Sequence, residues 1–212
     1  MKMLWRAQIM GKLKRSFFAR DTLTVAQELL GKILVHQIEG TTLKGMIVET
    51  EAYLGLSDKA AHSYSGKITK RVETMYKQSG TAYVYFIWGM HYCLNLITAK
   101  EGVPEGVLIR AIEPIENIEQ MVFNRFNKRT EELTSYQKRN ITNGPGKLTQ
   151  AMKIDGSLNN TDLCKDILYV EEGLAKTFKI QIAKRIGIDY AQEAIDYPYR
   201  FYIKDNPYVS KL

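Results

Sequence analysis

Apolar residues follow two different periods along the first part of the chain. At 22–30 they recur at helical spacing and Gly31 follows, a residue type that commonly ends a helix, so a helix is predicted there. Two stretches at 32–38 and 43–53 are rich in apolar and β-branched residues and are separated by a turn that contains Gly40. They are predicted to form two antiparallel strands.

The rest of the pattern predicts a hairpin, a buried strand, a helical region and a return to strands. Residues 81–87 and 92–98 are rich in aromatic and β-branched side chains and place Trp88 near the tip of a hairpin. The other predictions are a strand from 106 that ends at Pro114, helical structure at 115–139 with an exposed bend at 125–132, a helix that starts at Pro145, and strands near 167–170, 178–182 and 200–203.

The strand at 43–53 carries the first candidate for chemistry. Side chains alternate between the two faces of a strand, so Glu49, Glu51 and Tyr53 share one face. The opposite face, toward the core, would carry Met46, Val48 and Ala52. An acid beside an aromatic ring is a candidate for a positioned, partly desolvated carboxylate, which favours Glu51. Glu49 has the same parity and remains a competitor.

An aromatic cluster accompanies this strand, and two interpretations are open. Aromatic side chains dominate protein cores, so simple packing is the common explanation. Two opposed rings would instead form a site in which a planar base can stack. The members are Tyr53, Tyr83, Tyr85, Trp88 and Tyr92.

The charge of the chain is concentrated at its beginning. The net charge is +7, but six basic residues precede the first acid, Asp21, which leaves 24 basic and 23 acidic residues for the rest. Residues 1–16 are therefore predicted to be a mobile basic arm, and 17–212 a single domain. Two local basic patches remain as candidate phosphate-binding or merely solvated surfaces: Lys67, Lys70, Arg71 and Lys77 against Glu73, and Arg125, Lys128, Arg129, Lys138 and Arg139 against Glu131 and Glu132.

Several classes of chemistry lack their signature. The two cysteines and three histidines show no metal-ligand spacing, and the GPGKL segment at 144–148 lacks the spacing of a phosphate loop. No nucleophile elbow is present either, which leaves a water molecule activated by a carboxylate. We expect no cofactor and no metal. Without an apolar run of bilayer length or a signal peptide, we expect a cytosolic protein with no membrane partner.

Ordered blocks of sequence from residue 17 to residue 203 resemble one family. They are FFARDTLTVAQELLGK at 17–32, ETEAYLG at 49–55, AAHS at 60–63, YVYFIWGMHYCLN at 83–95, GVLIRAIEP at 106–114, NGPGKL at 143–148, RIGIDY at 185–190 and RFYI at 200–203. Together they resemble the alkyladenine, or 3-methyladenine, DNA glycosylases, in the branch that includes the mammalian enzyme. The fold implied is α+β, a single compact domain with a curved, mostly antiparallel β-sheet flanked by helices.

The resemblance also implies a role for individual residues. Glu51 would be the general base that activates water, and Arg110 and the backbone carbonyl of Ile186 would help to hold that water. The other implied roles are a pocket for the extruded base made by Tyr53, His62 and Tyr85, a limit on the purines that fit set by Asn95, insertion of Trp88 into the DNA stack, and DNA contacts by Lys67, Arg71 and Met75.

The implied activity is that of a monofunctional DNA glycosylase that starts base excision repair. It would flip alkylated or deaminated purines, of the 3-methyladenine, 7-methylguanine and hypoxanthine type, out of duplex DNA and hydrolyse the N-glycosidic bond. Duplex DNA with damaged purines would be its partner. We expect a monomer that associates with the nucleoid when it is on DNA.

Two positions depart from relatives, and two other functions stay open. Trp88 stands where tyrosine is common, and Val72 and Glu73 follow Arg71 where relatives often carry Arg-Asn before the methionine. The first alternative function is a noncatalytic nucleic-acid-binding domain that uses the same aromatic residues as a platform. The second is a hydrolase of free nucleosides, which would need neither basic patches nor a wedge.

Trp88→Ala should weaken base flipping more than it alters stability, because the indole is expected to fill the gap left by the flipped nucleotide. A fluorescent base analogue in a lesion duplex reports the flipping equilibrium, and urea denaturation reports stability, which should change by no more than about 0.5 kcal/mol. An unchanged flipping equilibrium together with a large loss of stability would assign Trp88 to core packing.

Overall fold

The computed structural model describes residues 11–66, 68–87, 89–173 and 177–211. Lys67 and Trp88 therefore lie outside the described residues. Eight strands form one sheet, in which every pairing between described strands is antiparallel. The strands are β1 (Ile33–Ile38), β2 (Thr41–Tyr53), β3 (Ala82–Ile87), β4 (His91–Ile97), β5 (Gly106–Glu116), β6 (Leu168–Glu171), β7 (Ile180–Ala183) and β8 (Arg200–Ile203).

Short helices and 3₁₀ turns surround the sheet. The α-helices are α1 (Arg15–Phe18), α2 (Thr22–Glu28), α3 (Ile118–Phe126), α4 (Ser135–Arg139) and α5 (Pro145–Ala151). The 3₁₀ turns are Gly55–Ser57, Tyr64–Gly66, Glu73–Tyr76, Thr130–Glu132, Gly156–Leu158 and Gln192–Asp196. In the part of the chain that is described, no helix is both long and apolar enough to cross a membrane.

β2 is the central strand of the sheet. The order is β3-β4-β5-β2-β1-β6, with β8 and then β7 attached to β2. One edge of β2 pairs with β5, while the other edge pairs first with β1 through 41–46 and then with β8 through 49–51. The register with β5 shifts on both sides of Glu49, and such irregularities bend a strand and re-aim side chains. The sheet accordingly curves into a half-barrel.

The core lies between the sheet and the helices. Asp21 caps the start of α2, because its carboxylate accepts a hydrogen bond from the Thr24 N–H at 2.8 Å. The apolar stripe of α2 packs on β2. Thr50 joins the two elements directly, because its hydroxyl donates to the carbonyl of Ala26 at 2.8 Å. α5 packs against β4 and β5 from the other end of the sheet. The helices thus hold the curved sheet in shape.

The fold class predicted from the sequence is confirmed, and so are the first helix, the hairpin β3–β4 and the helix at Pro145. Pro114 does not end its strand, because β5 continues to Glu116. Pro114 lies opposite Gly45, beside a shift in the β2–β5 register, where a missing N–H is tolerated. The region 115–139 is helical only in α3, α4 and the 3₁₀ turn between them.

Residues 11–16, predicted as part of a mobile arm, are packed on the domain. Leu13 is buried, and its N–H donates to the carbonyl of Val170 at 2.8 Å. The Arg15 guanidinium donates to both carboxylate oxygens of Asp162 at 2.8 Å. The packed domain therefore begins at or before residue 11, and the arm stays a prediction only for 1–10, which lie outside the described residues.

Gly45→Ala should destabilise the fold, because an added Cβ would lie 2.6 Å from Cδ1 and 3.1 Å from Cβ of Ile112 on β5. Overpacking of this kind costs about 1–3 kcal/mol of unfolding free energy, which urea denaturation measures. Gly11→Ala is the matched control, since its Cβ would meet no atom within 4 Å. Equal stability of the two variants would contradict this packing.

Candidate active site

The pairing register of four strands brings the candidate residues to one place. Leu108 on β5 lies opposite Glu51 on β2 and also opposite Asn95 on β4, which in turn lies opposite Tyr83 on β3. Directly opposed residues in antiparallel strands point to the same face of the sheet. Residues two positions along each strand share that face, which adds Arg110 and the other candidates of β2 and β3.

This face borders a cavity of about 650 Å³. Its walls include most of the residues predicted from the sequence: Tyr53, His62, Arg71, Met75, Tyr85, Asn95, Arg110 and Ile186. Glu51 is not exposed at the cavity surface, because its side chain is fully buried. It lies directly behind Tyr53, Arg110 and Ile186, all three of which contact its carboxylate.

The Glu51 carboxylate is held by three groups from three segments. The Ile186 N–H donates to Oε1 at 2.8 Å, the Tyr53 hydroxyl donates to Oε2 at 2.9 Å, and Arg110 Nη1 lies 3.2 Å from Oε2. Burial raises the pKa of Glu51 above its usual value, and the negative charge of Glu49 adds to that rise. Arg110, the Ile186 N–H and Tyr53 act in the opposite direction. The result is a desolvated carboxyl group with fixed orientation.

Glu49 lies on the same face of β2 as Glu51, as expected, but its carboxylate has different partners. Its carboxylate accepts hydrogen bonds from Arg110 Nε at 3.2 Å and Arg200 Nη1 at 2.9 Å. The backbone N–H and the hydroxyl of Ser210 donate to it as well, at 2.7 and 3.0 Å. Glu49 is fully buried and does not line the cavity. Tyr53 and Ile186 line the cavity and contact the carboxylate of Glu51. These contacts favour Glu51 over Glu49, while Arg110 contacts both acids.

The rings of His62 and Tyr85 line one wall of the cavity, and the buried ring of Tyr83 stacks on Tyr85. The rings of Tyr83 and Tyr85 are stacked with centroids 4.9 Å apart, and the His62 ring meets Tyr85 edge-on at 4.6 Å. His62 Nδ1 lies 3.0 Å from the Tyr83 hydroxyl. His62 as a whole remains exposed, but loss of hydration on its covered side and the nearby charge of Arg71 lower its pKa.

Burial raises the pKa of Tyr83 to about 12, so its hydroxyl keeps its proton beside Nδ1 of His62. Either group can be the donor in this hydrogen bond, depending on the tautomer of His62. Asn95 is buried, and its side-chain oxygen has no hydrogen-bond partner among the described residues. The cavity thus offers a ring nitrogen of His62 and an amide from Asn95 to a planar ligand.

Asp58 and Arg185 support the site, and the sequence did not single out Arg185. The two side chains form a buried bidentate ion pair at 2.6 and 2.8 Å. Arg185 also donates to the Ala52 carbonyl at 3.0 Å, and its guanidinium carbon lies 4.7 Å from the centroid of the Tyr53 ring. The pair locks the segment that presents the Ile186 N–H to Glu51. Its only signal in the sequence was a lone arginine just before Ile186.

The predicted DNA contacts are placed in different environments. Arg71 is exposed at the cavity and donates to the carbonyl of Phe86 at 3.2 Å. Met75 is only 1% exposed, packs with Val72 and Tyr83 and borders the cavity, and its contact with DNA stays a prediction. Lys67 and Trp88 are outside the described residues. No cluster of three or more potential metal ligands occurs among the residues that the structure covers.

Comparison with known proteins places this site in one family. The sequence model described as methylpurine-DNA glycosylase matches residues 16–207. A relative in Clostridium acetobutylicum is 57% identical over 201 residues, 95% of this chain and 98% of the relative. A Desulfitobacterium hafniense protein is 56% identical (95% of this chain, 99% of the relative), and an Alkaliphilus oremlandii protein is 52% identical (94% and 99%). All three carry the name "Putative 3-methyladenine DNA glycosylase".

The matched region contains all the described residues that line the cavity, from Tyr53 to Tyr190. The chain belongs to the methylpurine-DNA glycosylase family and is a DNA glycosylase, a hydrolase of DNA repair.

Proposed function

We propose that the protein flips alkylated or deaminated purines out of duplex DNA into the cavity and hydrolyses their N-glycosidic bond with a water molecule activated by Glu51. The observation that carries the proposal is a fully buried carboxylate, fixed by Arg110, Tyr53 and Ile186, directly behind a cavity with aromatic walls. An enzyme that cleaves the bond to a base needs such a pocket, because it cannot reach that bond while the base is stacked in the duplex.

The chemistry of the walls suits a damaged purine. Purines alkylated at N3 or N7 carry positive charge, which electron-rich rings such as those of Tyr53 and Tyr85 attract. Neutral His62 adds a ring nitrogen for a hydrogen bond without repelling a cation. Asn95 lies at the inner wall and would limit which exocyclic groups fit. Selectivity also begins before chemistry, since flipping costs least for damaged or mispaired bases.

The proposed reaction transfers one proton to the enzyme. The bond between the purine and sugar C1′ breaks, the base leaves with the electron pair, and the water oxygen bonds to C1′ while Glu51 accepts the water proton. Arg110 favours the ionised form of Glu51 and orients it. The ionised carboxylate stabilises the positive character that develops at C1′. Cationic lesions leave as neutral bases, so they need little acid assistance, whereas hypoxanthine leaves as an anion that takes a proton from the surrounding water.

Access to Glu51 requires a local adjustment. The carboxylate has no exposed surface, so water reaches it only when Tyr53, Arg110 or the segment at Ile186 shifts. Tyr53 is the most direct candidate, because a single hydroxyl hydrogen bond holds it over Oε2 and its ring lines the cavity. We infer that a base stacked on this ring supplies the shift.

A monofunctional reaction is part of the proposal. The described lining of the cavity contains one lysine, Lys147, and its ammonium group donates to the side-chain oxygens of Asn140 and Asn143 at 2.6 and 2.9 Å. A lysine held in this way is not presented to C1′ as a nucleophile. Water therefore remains the attacking group, and the DNA backbone stays intact after base release.

Glu51→Gln should abolish base release while binding of lesion DNA is retained. Removal of a general base costs about 100-fold or more in rate, and the amide keeps the shape of the side chain. Single-turnover release from a hypoxanthine duplex, read by alkaline cleavage of abasic sites, measures the rate. Glu28→Gln on α2 is the matched control, because this exposed acid pairs only with Arg20. Undiminished turnover by Glu51→Gln would refute the assignment.

Glu51→Gln should also alter how stability depends on pH. Burial raises the pKa of Glu51 in the folded protein above its ordinary 4.5. Above that pH the carboxyl group ionises more readily in the unfolded state than in the folded state, so the folded state loses stability as the pH rises. Wild-type stability should therefore fall relative to the variant as the pH rises above 4.5. Urea denaturation of both proteins tests this, and a constant difference across the range would contradict it.

A further inference from the structure

Glu49 is a buried carboxylate that the proposed reaction does not use. It lies two residues before Glu51 on β2, has no exposed surface and does not line the cavity. A buried acid is costly unless its hydrogen-bonding capacity is met. Here Arg110, Arg200 and Ser210 all donate to it. Four hydrogen bonds to a carboxylate that the reaction does not use indicate a role beyond the stability of β2.

Each of the three nitrogens of the Arg110 side chain has a carboxylate or hydroxyl partner. Nη1 lies 3.2 Å from Glu51, Nε donates to Glu49 at 3.2 Å, and Nη2 donates to the Ser210 hydroxyl at 3.4 Å. A planar guanidinium group with partners on three sides has its position and its plane fixed. Only one of these contacts belongs to Glu51. The other two come from the network around Glu49.

Arg200 connects this network to the other side of Glu51. Its Nη1 donates to Glu49 at 2.9 Å and to the carbonyl of Lys211 at 2.8 Å, and its Nε donates to the carbonyl of Lys184 at 2.9 Å. Lys184 stands two residues before Ile186, whose N–H donates to Glu51. The segment at 210–211, β8 and the segment at 184–186 are therefore joined through one carboxylate.

We propose that Glu49 and Ser210 are positioning residues, which act on catalysis by holding the Arg110 guanidinium against Glu51. This inference rests on the proposed function, because it concerns the same carboxylate. Neither residue is expected to touch DNA or the flipped base. Their contribution reaches the reaction only through Arg110, whose misplacement would leave Glu51 without its charge partner.

Glu49 also contributes through its charge. It repels the ionised form of Glu51, so its removal lowers the pKa of Glu51. Arg110 would then keep Glu51 as its carboxylate partner. The other titratable groups that face Glu51 stay unchanged: Tyr53 on β2, Tyr85 on β3, Cys93 on β4, and Arg185 and Tyr190 on either side of Ile186.

Two variants test the proposal in single-turnover base release from a hypoxanthine duplex across pH. Ser210→Ala removes the hydroxyl from Glu49 and Arg110, and the rate plateau should fall about tenfold, since small misplacements at a reacting group are costly. Glu49→Gln should lower the plateau, because Arg110 loses an anionic partner, and should shift the acidic midpoint away from the wild-type value, because the charge beside Glu51 is also removed. Asn206→Ala is the matched control, because it frees the same segment from Glu113 without touching Glu49.

A purely structural role predicts a different result. Ser210→Ala and Glu49→Gln would then lower the melting temperature, while the rate per folded molecule and the acidic midpoint would match those of Asn206→Ala and the wild type. That outcome overturns the proposal. Ser210→Ala alone decides the question if Glu49→Gln does not fold. Absence of base release by the wild type would instead refute the proposed function.

Discussion

The structure depends on a buried cluster of two carboxylates and two guanidinium groups at the middle of β2. Glu49 and Glu51 are both fully buried, and Arg110 and Arg200 reach them from β5 and β8. Removal of charges from water costs several kcal/mol per ion unless geometry and hydrogen bonding are nearly complete. The cluster meets this condition with partners from three strands and from the segment at 210–211. The buried charges therefore require these parts of the fold to meet at one place.

The course of β2 follows from this requirement. One long strand changes partners from β1 to β8 along one edge, and the shifts of register around Glu49 direct both acids toward the arginines. The same register aligns Glu51, Leu108 and Asn95 on one face of the sheet. A curved sheet encloses that face as a cavity, whereas a flat one would leave it as an open surface. The cavity and the Glu51 carboxylate are thereby placed on opposite sides of Tyr53 and Arg110.

Local pattern was sufficient to predict the strands, the hairpin, the helix at Pro145 and the shared face of Glu49 and Glu51, because these follow from alternation and turn residues within short segments. Resemblance to a family supplied the residues around the cavity. Contacts between distant segments were not predictable in this way. The Asp58–Arg185 pair, the partners of Glu49 and the burial of Met75 all depend on tertiary packing, and Pro114 was misjudged because a register shift tolerates it inside β5.

The proposed activity is hydrolysis of a base from duplex DNA, as opposed to binding alone or hydrolysis of free nucleosides. The most direct measurement is mass spectrometry of the products formed by the wild-type protein from a duplex with one methylated purine, alongside the free methylated nucleoside. The account predicts one free base per duplex, an unbroken strand until alkali is added, and no turnover of the nucleoside. A duplex that is bound but keeps its base, or hydrolysis of the free nucleoside at a comparable rate, would contradict it.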